Sequence, residues 1–329
     1  MALRTPFTEL VGCDAPIQLA PMGGVNTPEL MSAVAGGGAM AMAAMPAAPV
    51  EAVAGALDGV REQVDGPVGF NVLLPFLDVD VVDAAAARCR LVDFYHGAVD
   101  GALVERVHGA GALAGWQVGS AGEAVAAADA GCDLLVVRGT EGGGRMHGHQ
   151  SLWPLLTAVL DAVDVPVLAA GGIADGRGLA AALAAGAAGV RMGTRFVATP
   201  ESGAHPGYKE AIVRAHAGDT VLTDAFKTGW PDTVATSRVL RSALDRAAEL
   251  PEEAPVAQVT MGPTTMDVPR FGFVPPIATA QGDIGAMALY AGESAGLVDA
   301  LTPAAEIVAN VVREAETHLR TAAASLFVQ

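Results

Sequence analysis

Two glycine-bearing turns carry the first chemical signal in this chain. Val167-Leu168-Ala169-Ala170 stops at Gly171-Gly172, and Gly189-Val190-Arg191-Met192 stops at Gly193-Thr194. Glycine lets backbone N–H groups approach an anion that leaves no room for a Cβ, so the two turns together suit a phosphate. A second constellation runs from Arg138 to His149 and sets Glu141, Arg145, His147 and His149 among Gly139, Gly142, Gly143, Gly144 and Gly148. Such a run either brings backbone against a flat ring or an anion, or is a flexible surface loop. His147 and His149 stand two apart with no further Cys or His ligand nearby, so no metal is assigned to them. Asn71 and Gln117 lie in apolar runs and either contact a ligand or bond backbone. His96 either faces a site or is structural, and Trp230 beside Pro231 either lines a substrate pocket or packs.

These residues need a frame that brings them to one place. Eight short apolar runs recur, at 16–21, 39–43, 68–73, 91–95, 112–117, 134–137, 165–169 and 190–193. They are continuous rather than alternating, as strands buried on both faces of a parallel sheet are. Helix signals lie between them. Thr27-Pro28 offers an N-cap with proline in the first turn, Ser120-Ala121-Gly122-Glu123 is a capping-box pattern, and Gly178–Ala185 reads as a helix ended by Gly186. Eight such units predict an α/β chain folded as a (β/α)8 TIM barrel, whose active site gathers at the C-terminal ends of the strands. After Phe196 the rhythm breaks. Residues 204–217 still read as helix, while 221–273 are more polar, carry the acidic patch Glu249, Glu252 and Glu253, and predict an inserted cap or substrate domain. Two helices, 284–301 and 303–319, then return to the barrel. The expected division is 1–220 barrel, 221–273 cap and 274–329 C-terminal helices.

Composition removes several partners. The formal charge of −17 disfavours nucleic acid and anionic membrane surfaces. The uncharged stretch 30–50 contains Gly36-Gly37-Gly38, Pro46 and Pro49, which argues against a span. The start of the chain lacks the apolar core of a signal peptide. Three widely spaced cysteines form no CxxC, so reduced thiols and a cytoplasmic location are expected. A homo-oligomer is left open.

The motifs together resemble the nitronate monooxygenase family and its FMN-dependent enoyl reductase relatives. The likeness rests on Pro16–Val25, Gly69-Phe70-Asn71, Thr140–Gly144, Ala169–Gly176, Met192–Phe196, Thr228–Pro231 and Tyr290–Leu297. It implies a TIM barrel with noncovalent FMN, its phosphate on Gly171, Gly172, Gly193 and Thr194. Met22, Gly23 and Asn71 would flank the isoalloxazine, and Gln117 would stand at a polar flavin contact. Pro21, Glu141, Gly143 and Gly144 complete the implied cofactor set. The implied reaction is oxidation of an alkyl nitronate with O2 to a carbonyl compound and nitrite. The alternatives are an FMN- and NAD(P)H-dependent reductase of an enoyl thioester or another activated alkene, and a non-catalytic FMN-binding barrel.

One departure matters. Where the family reads Glu-Ala-Gly-Gly-His, with histidine as the proposed base, this chain has Arg145, and His147 follows two residues later. Arginine keeps its proton at any ordinary pH and cannot be a general base. Either His147 takes the role, or the reaction needs no base and Arg145 holds an anionic substrate against the flavin.

Overall fold

The structure, a computed structural model, describes residues 3–231, 236–251, 254–262 and 264–326. Glu252, Glu253 and the first two residues lie outside the described residues. Eight parallel strands form the central sheet: β1 (Ile17–Leu19), β2 (Ala41–Ala44), β3 (Val68–Leu73), β4 (Leu91–Tyr95), β5 (Leu113–Val118), β6 (Leu134–Arg138), β7 (Val167–Ala170) and β8 (Gly189–Met192). Neighbours follow chain order, and β8 pairs with β1. The ring closes through Met40, whose N–H donates to Ile17 O (3.0 Å) and whose carbonyl accepts from Leu19 N–H (2.9 Å). All eight expected strands are present, with helices between them, as a (β/α)8 barrel requires.

The barrel interior is layered. Met40, Met42, Leu91, Leu134, Val136 and Leu168 fill an apolar layer, stoppered at the strand N-termini by Phe7 and Val11 of the helix Pro6–Val11. Side chains two residues further along a strand point the same way. Asp93 and Arg138 therefore rise above this layer toward the strand C-termini. The outward faces of the strands pack against the helices in one continuous Ala, Val and Leu core.

Local signals set the helix starts. Thr27 accepts the Leu30 N–H (3.1 Å) with Pro28 in the first turn. Ser120 accepts the Glu123 N–H (3.2 Å), but the return half of the expected capping box is missing. Glu123 instead takes the Gly119 N–H (2.8 Å) and His147 Nε2 (3.1 Å).

A second apolar core begins at Val197 and runs through Tyr208, Phe226, Val239, Val259 and Leu289 to Val298, with Val25 reaching in from the barrel. It contains the helix Pro206–Val213 and two small antiparallel sheets. In one of these sheets Ser237–Leu240 pairs with Thr220–Thr223 on one side and with Gly144–Arg145 on the other. Residues 284–301 differ from the expected helix. They make only two 3-10 turns, Ile284–Ala286 and Glu293–Leu297. Tertiary pairing outcompetes helix formation here: Leu289 O accepts from Leu240 N–H, Gly292 N–H donates to Thr194 Oγ1, and Glu293 N–H donates to Glu141 O. One helix, Ala304–Leu326, then packs on Gly176–Ala184 and Pro28–Gly36. Among the described residues no helix is long and apolar enough to cross a membrane. Cys13, Cys89 and Cys132 are free thiols, each pushed up to about 12 by burial, so little thiolate forms near neutral pH.

Candidate active site

A cavity opens at the C-terminal ends of the strands, with an empty volume of about 1320 Å³ including the solvent at its mouth. Pro21, Met22, Gly23, Asn71, Gln117, Gly143, Gly144, Arg145, Gly171, Gly172, Gly193 and Thr194 all line it. Residues spread over most of the chain are thus gathered on one concave surface. Gly171 and Gly172 have φ +111° and +71°, a region that side-chain-bearing residues rarely enter, and this turn brings their backbone to the wall. At the next turn, the helix Thr194–Val197 begins directly after Gly193. The Phe196 and Val197 N–H groups donate to Gly193 O (2.8 and 3.1 Å), which folds this turn tightly onto the end of β8. Gly143 lies so close to Gly292 that a Cβ on it would sit 2.5 Å from the Gly292 nitrogen, so the loop after β6 is pressed against the second core.

The floor is a buried polar network that the sequence reading missed in part. Arg191 of β8 pairs with Asp93 of β4, and both are almost fully buried. Arg191 Nε donates to Gln18 Oε1 (2.6 Å) and Nη1 to Gln117 Oε1 (3.0 Å). Asn71 Nδ2 donates to the other Asp93 oxygen (2.8 Å). Asn71, Gln117 and Arg191 face the cavity from this network. Two charges inside otherwise apolar strand runs, Leu91-Val92-Asp93-Phe94 and Gly189-Val190-Arg191-Met192, were the available signal. A charge in a strand buried on both faces needs a partner.

The loop after β6 is fixed from both sides. Arg138 donates to Tyr95 Oη (2.7 Å) and to the carbonyls of Gly143 and Arg145. Arg145, buried to 9% exposure, donates to Phe226 O and to Tyr290. Its guanidinium lies 4.4 Å from the Trp230 ring centre and 5.9 Å from that of Phe273. Aromatic faces attract a cation, so these rings help to hold the charge at the wall.

Two expected site residues point elsewhere. Glu141 does not line the cavity. Both its oxygens accept from Leu152 N–H (3.0 Å each), which caps the helix Leu152–Leu160. His147, the candidate for the base role if the reaction needs one, does not line the cavity either, and its Nε2 bonds Glu123. The Glu123 carboxyl would be raised by its burial, but the bonds from His147 and the Gly119 N–H outweigh this and hold it below its ordinary range. The histidine at the cavity is His96, with φ +65° and 6% exposure. Burial first, then the charges of Arg138, His147 and Arg145, push its pKa down to about 2, so the ring is neutral.

Comparison with known proteins gives this site its family. The nitronate monooxygenase family matches residues 77–314. A (3aS,4S,5R,7aS)-5-hydroxy-7a-methyl-1-oxo-octahydro-1H-indene-4-carboxyl-CoA dehydrogenase of Mycobacterium tuberculosis is 33% identical, over 98% of this chain and 99% of its own. Among solved structures, FabK from Thermotoga maritima superposes with a TM-score of 0.81 at 30% identity, covering 98% of this chain and 99% of that one. Nitroalkane oxidase from Streptomyces ansochromogenes superposes with a TM-score of 0.74 at 28% identity, covering 97% and 100%. The chain belongs to the nitronate monooxygenase family and is an oxidoreductase; flavin use is implied by that family.

Proposed function

We propose that this member of the nitronate monooxygenase family is an FMN-dependent oxidoreductase acting on an acyl-CoA thioester, at the carbons next to the thioester carbonyl. The observation that carries the reading is Arg145, a buried cation fixed at the cavity wall where the family's proposed base would stand. A fixed guanidinium suits an oxygen that gains negative charge during reaction, as a thioester oxygen does when a hydride adds to the β carbon of an enoyl thioester. Full-length similarity to a CoA-thioester dehydrogenase supports the same substrate class.

The residues present fit FMN. The turns Gly171-Gly172 and Gly193-Thr194 offer close backbone to a phosphate, and Asn71, Gln117 and Arg191 offer a polar floor to a ring edge. Met22 and Gly23 lie at the end of β1 beside that floor. FMN, when bound, supplies the two-electron redox chemistry, and the protein supplies orientation and charge. Arg145 holds the substrate oxygen, and Trp230, Phe273 and Tyr290 keep water from that side of the cavity.

A second reading, oxidation of an alkyl nitronate with O2, is favoured by the same arginine, because a nitronate is already an anion and needs no base. Anaerobic titration of the FMN-loaded protein separates the two. Bleaching by a saturated acyl-CoA, or reoxidation of reduced protein by an enoyl-CoA, supports the thioester reading. Bleaching by propyl-2-nitronate alone moves the assignment to the second. Colourless protein that takes up no FMN overturns both.

Gly171→Ala tests the phosphate turn. The added methyl would meet Gly142 N at 2.9 Å, at a φ that alanine resists. Strain of about 1–3 kcal/mol would fall on the bound conformation. FMN affinity, read by quenching of flavin fluorescence, is expected to weaken roughly 5- to 150-fold.

A further inference from the structure

We infer that His96 and Trp230 form a subsite for a neutral oxygen, a ketone or hydroxyl, on the non-thioester part of the substrate. The inference rests on the substrate reading above for the word thioester, but not for the subsite itself. Both residues line the cavity, with ring centres 5.5 Å apart, edge to face. His96 Nδ1 and Trp230 Nε1 are each buried, and neither has a hydrogen-bond partner among the described residues. Leaving two such groups unsatisfied is costly, and it is repaid only when something polar arrives.

The chemistry of the arrival is constrained. An indole N–H only donates, so the partner must accept. The imidazole is neutral, so no charge in this pair calls for an anion. A hydroxyl accepts from Trp230 and donates to a bare His96 Nδ1. A ketone oxygen accepts from both when His96 Nδ1 carries the proton.

Position assigns the oxygen to the substrate rather than to the cofactor. His96 follows β4, and Gly193 follows β8, four strands away around a ring of eight. The pair therefore lies across the barrel mouth from the turns that suit the FMN phosphate. Its neighbours on that side are aromatic: Trp230 packs edge-on to Phe76 (5.4 Å) and Phe273 (5.6 Å), next to Arg145.

The test is the indole ¹H–¹⁵N resonance of Trp230 in the FMN-loaded protein, identified by its loss in Trp230→Phe. Cyclohexanone and cyclohexanol are the oxygen probes and cyclohexene is the control. The expected result is a downfield shift with the two oxygen probes and none with cyclohexene. Binding of the oxygen probes should be about tenfold weaker in Trp230→Phe, with cyclohexene unchanged. His96→Asn, which tolerates the left-handed backbone, should weaken cyclohexanol likewise while FMN binding is retained. An indole resonance that moves on FMN addition but not with any probe overturns the subsite, as does an equal response to all three probes. Because these probes carry no thioester, the outcome is independent of whether an acyl-CoA is turned over.

Discussion

Arg145→Ala lowers kcat for the thioester reaction by about 10²–10³-fold, the loss seen when one donor to a developing oxyanion is removed. FMN content stays at its wild-type level, because the side chain is anchored on Phe226 and Tyr290 of the second core, away from the glycine turns. Arg145→Lys recovers only part of the rate. It restores a charge but not the planar fork that stacks on Trp230 and bonds sideways at once. Arg145→His changes the shape of the pH profile as well. A guanidinium stays charged across the working range, so wild-type kcat/KM carries no ionisation from this position. A histidine there introduces one near its ordinary pKa of about 6.5, and a capacity to deprotonate a neutral nitroalkane above it. Steady-state kinetics with an acyl-CoA and with nitroethane, each from pH 5.5 to 9, read all three variants. Wild-type rates in Arg145→Ala would remove the arginine from the chemistry.

The departure from the family pattern at Arg145 was legible in the sequence, but the position of the nearby histidines was not. Alternation along a strand would put residues 145 and 147 on one face. The pairing of Gly144–Arg145 with Ser237–Leu240 does aim Arg145 at the cavity. Beyond Met146 the chain leaves that sheet, and its backbone at His147-Gly148 packs directly on Gly119. His147 thereby reaches Glu123, on a helix that begins after β5. That contact joins residues 24 apart in sequence, and no local signal encodes it. His96 was visible only as a histidine after a strand.

The barrel was legible because its strands are buried on both faces and so appear as unbroken apolar runs. β3, β4 and β6 match their expected runs to within a residue. The region 284–301 was not legible for the opposite reason. Its small residues, Gly285, Gly292 and Gly296 among them, permit helix-like stretches but serve close packing instead. A Cβ on Gly296 would sit 2.5 Å from the Ala217 nitrogen. Composition alone does not separate an Ala/Gly helix from an Ala/Gly strap tied down by its neighbours.

The floor of the site carries the other large expected effect. Asp93→Ala leaves Arg191 buried at 4% exposure with its counter-charge gone. Gln18 and Gln117 still accept from the guanidinium, but neutral amides do not offset its desolvation. Breaking one partner of such a pair costs about 3–5 kcal/mol. For a chain of this length that corresponds to a fall in Tm of about 4–7 °C. Replacing both partners, as Asp93→Leu with Arg191→Met, should recover much of the loss, because the uncompensated charge goes with them. The two variants then part company at the cavity. Asn71 loses its Asp93 carboxylate acceptor in both, and only the double variant also takes the Arg191 guanidinium out of the polar floor beneath the proposed flavin ring. Calorimetry should therefore rank Asp93→Ala as the less stable protein, while FMN titration ranks the double variant as the weaker binder. If the single variant melts within 1 °C of wild type, the network contributes nothing measurable to the fold. If the double variant binds FMN as wild type does, Arg191 serves the barrel alone.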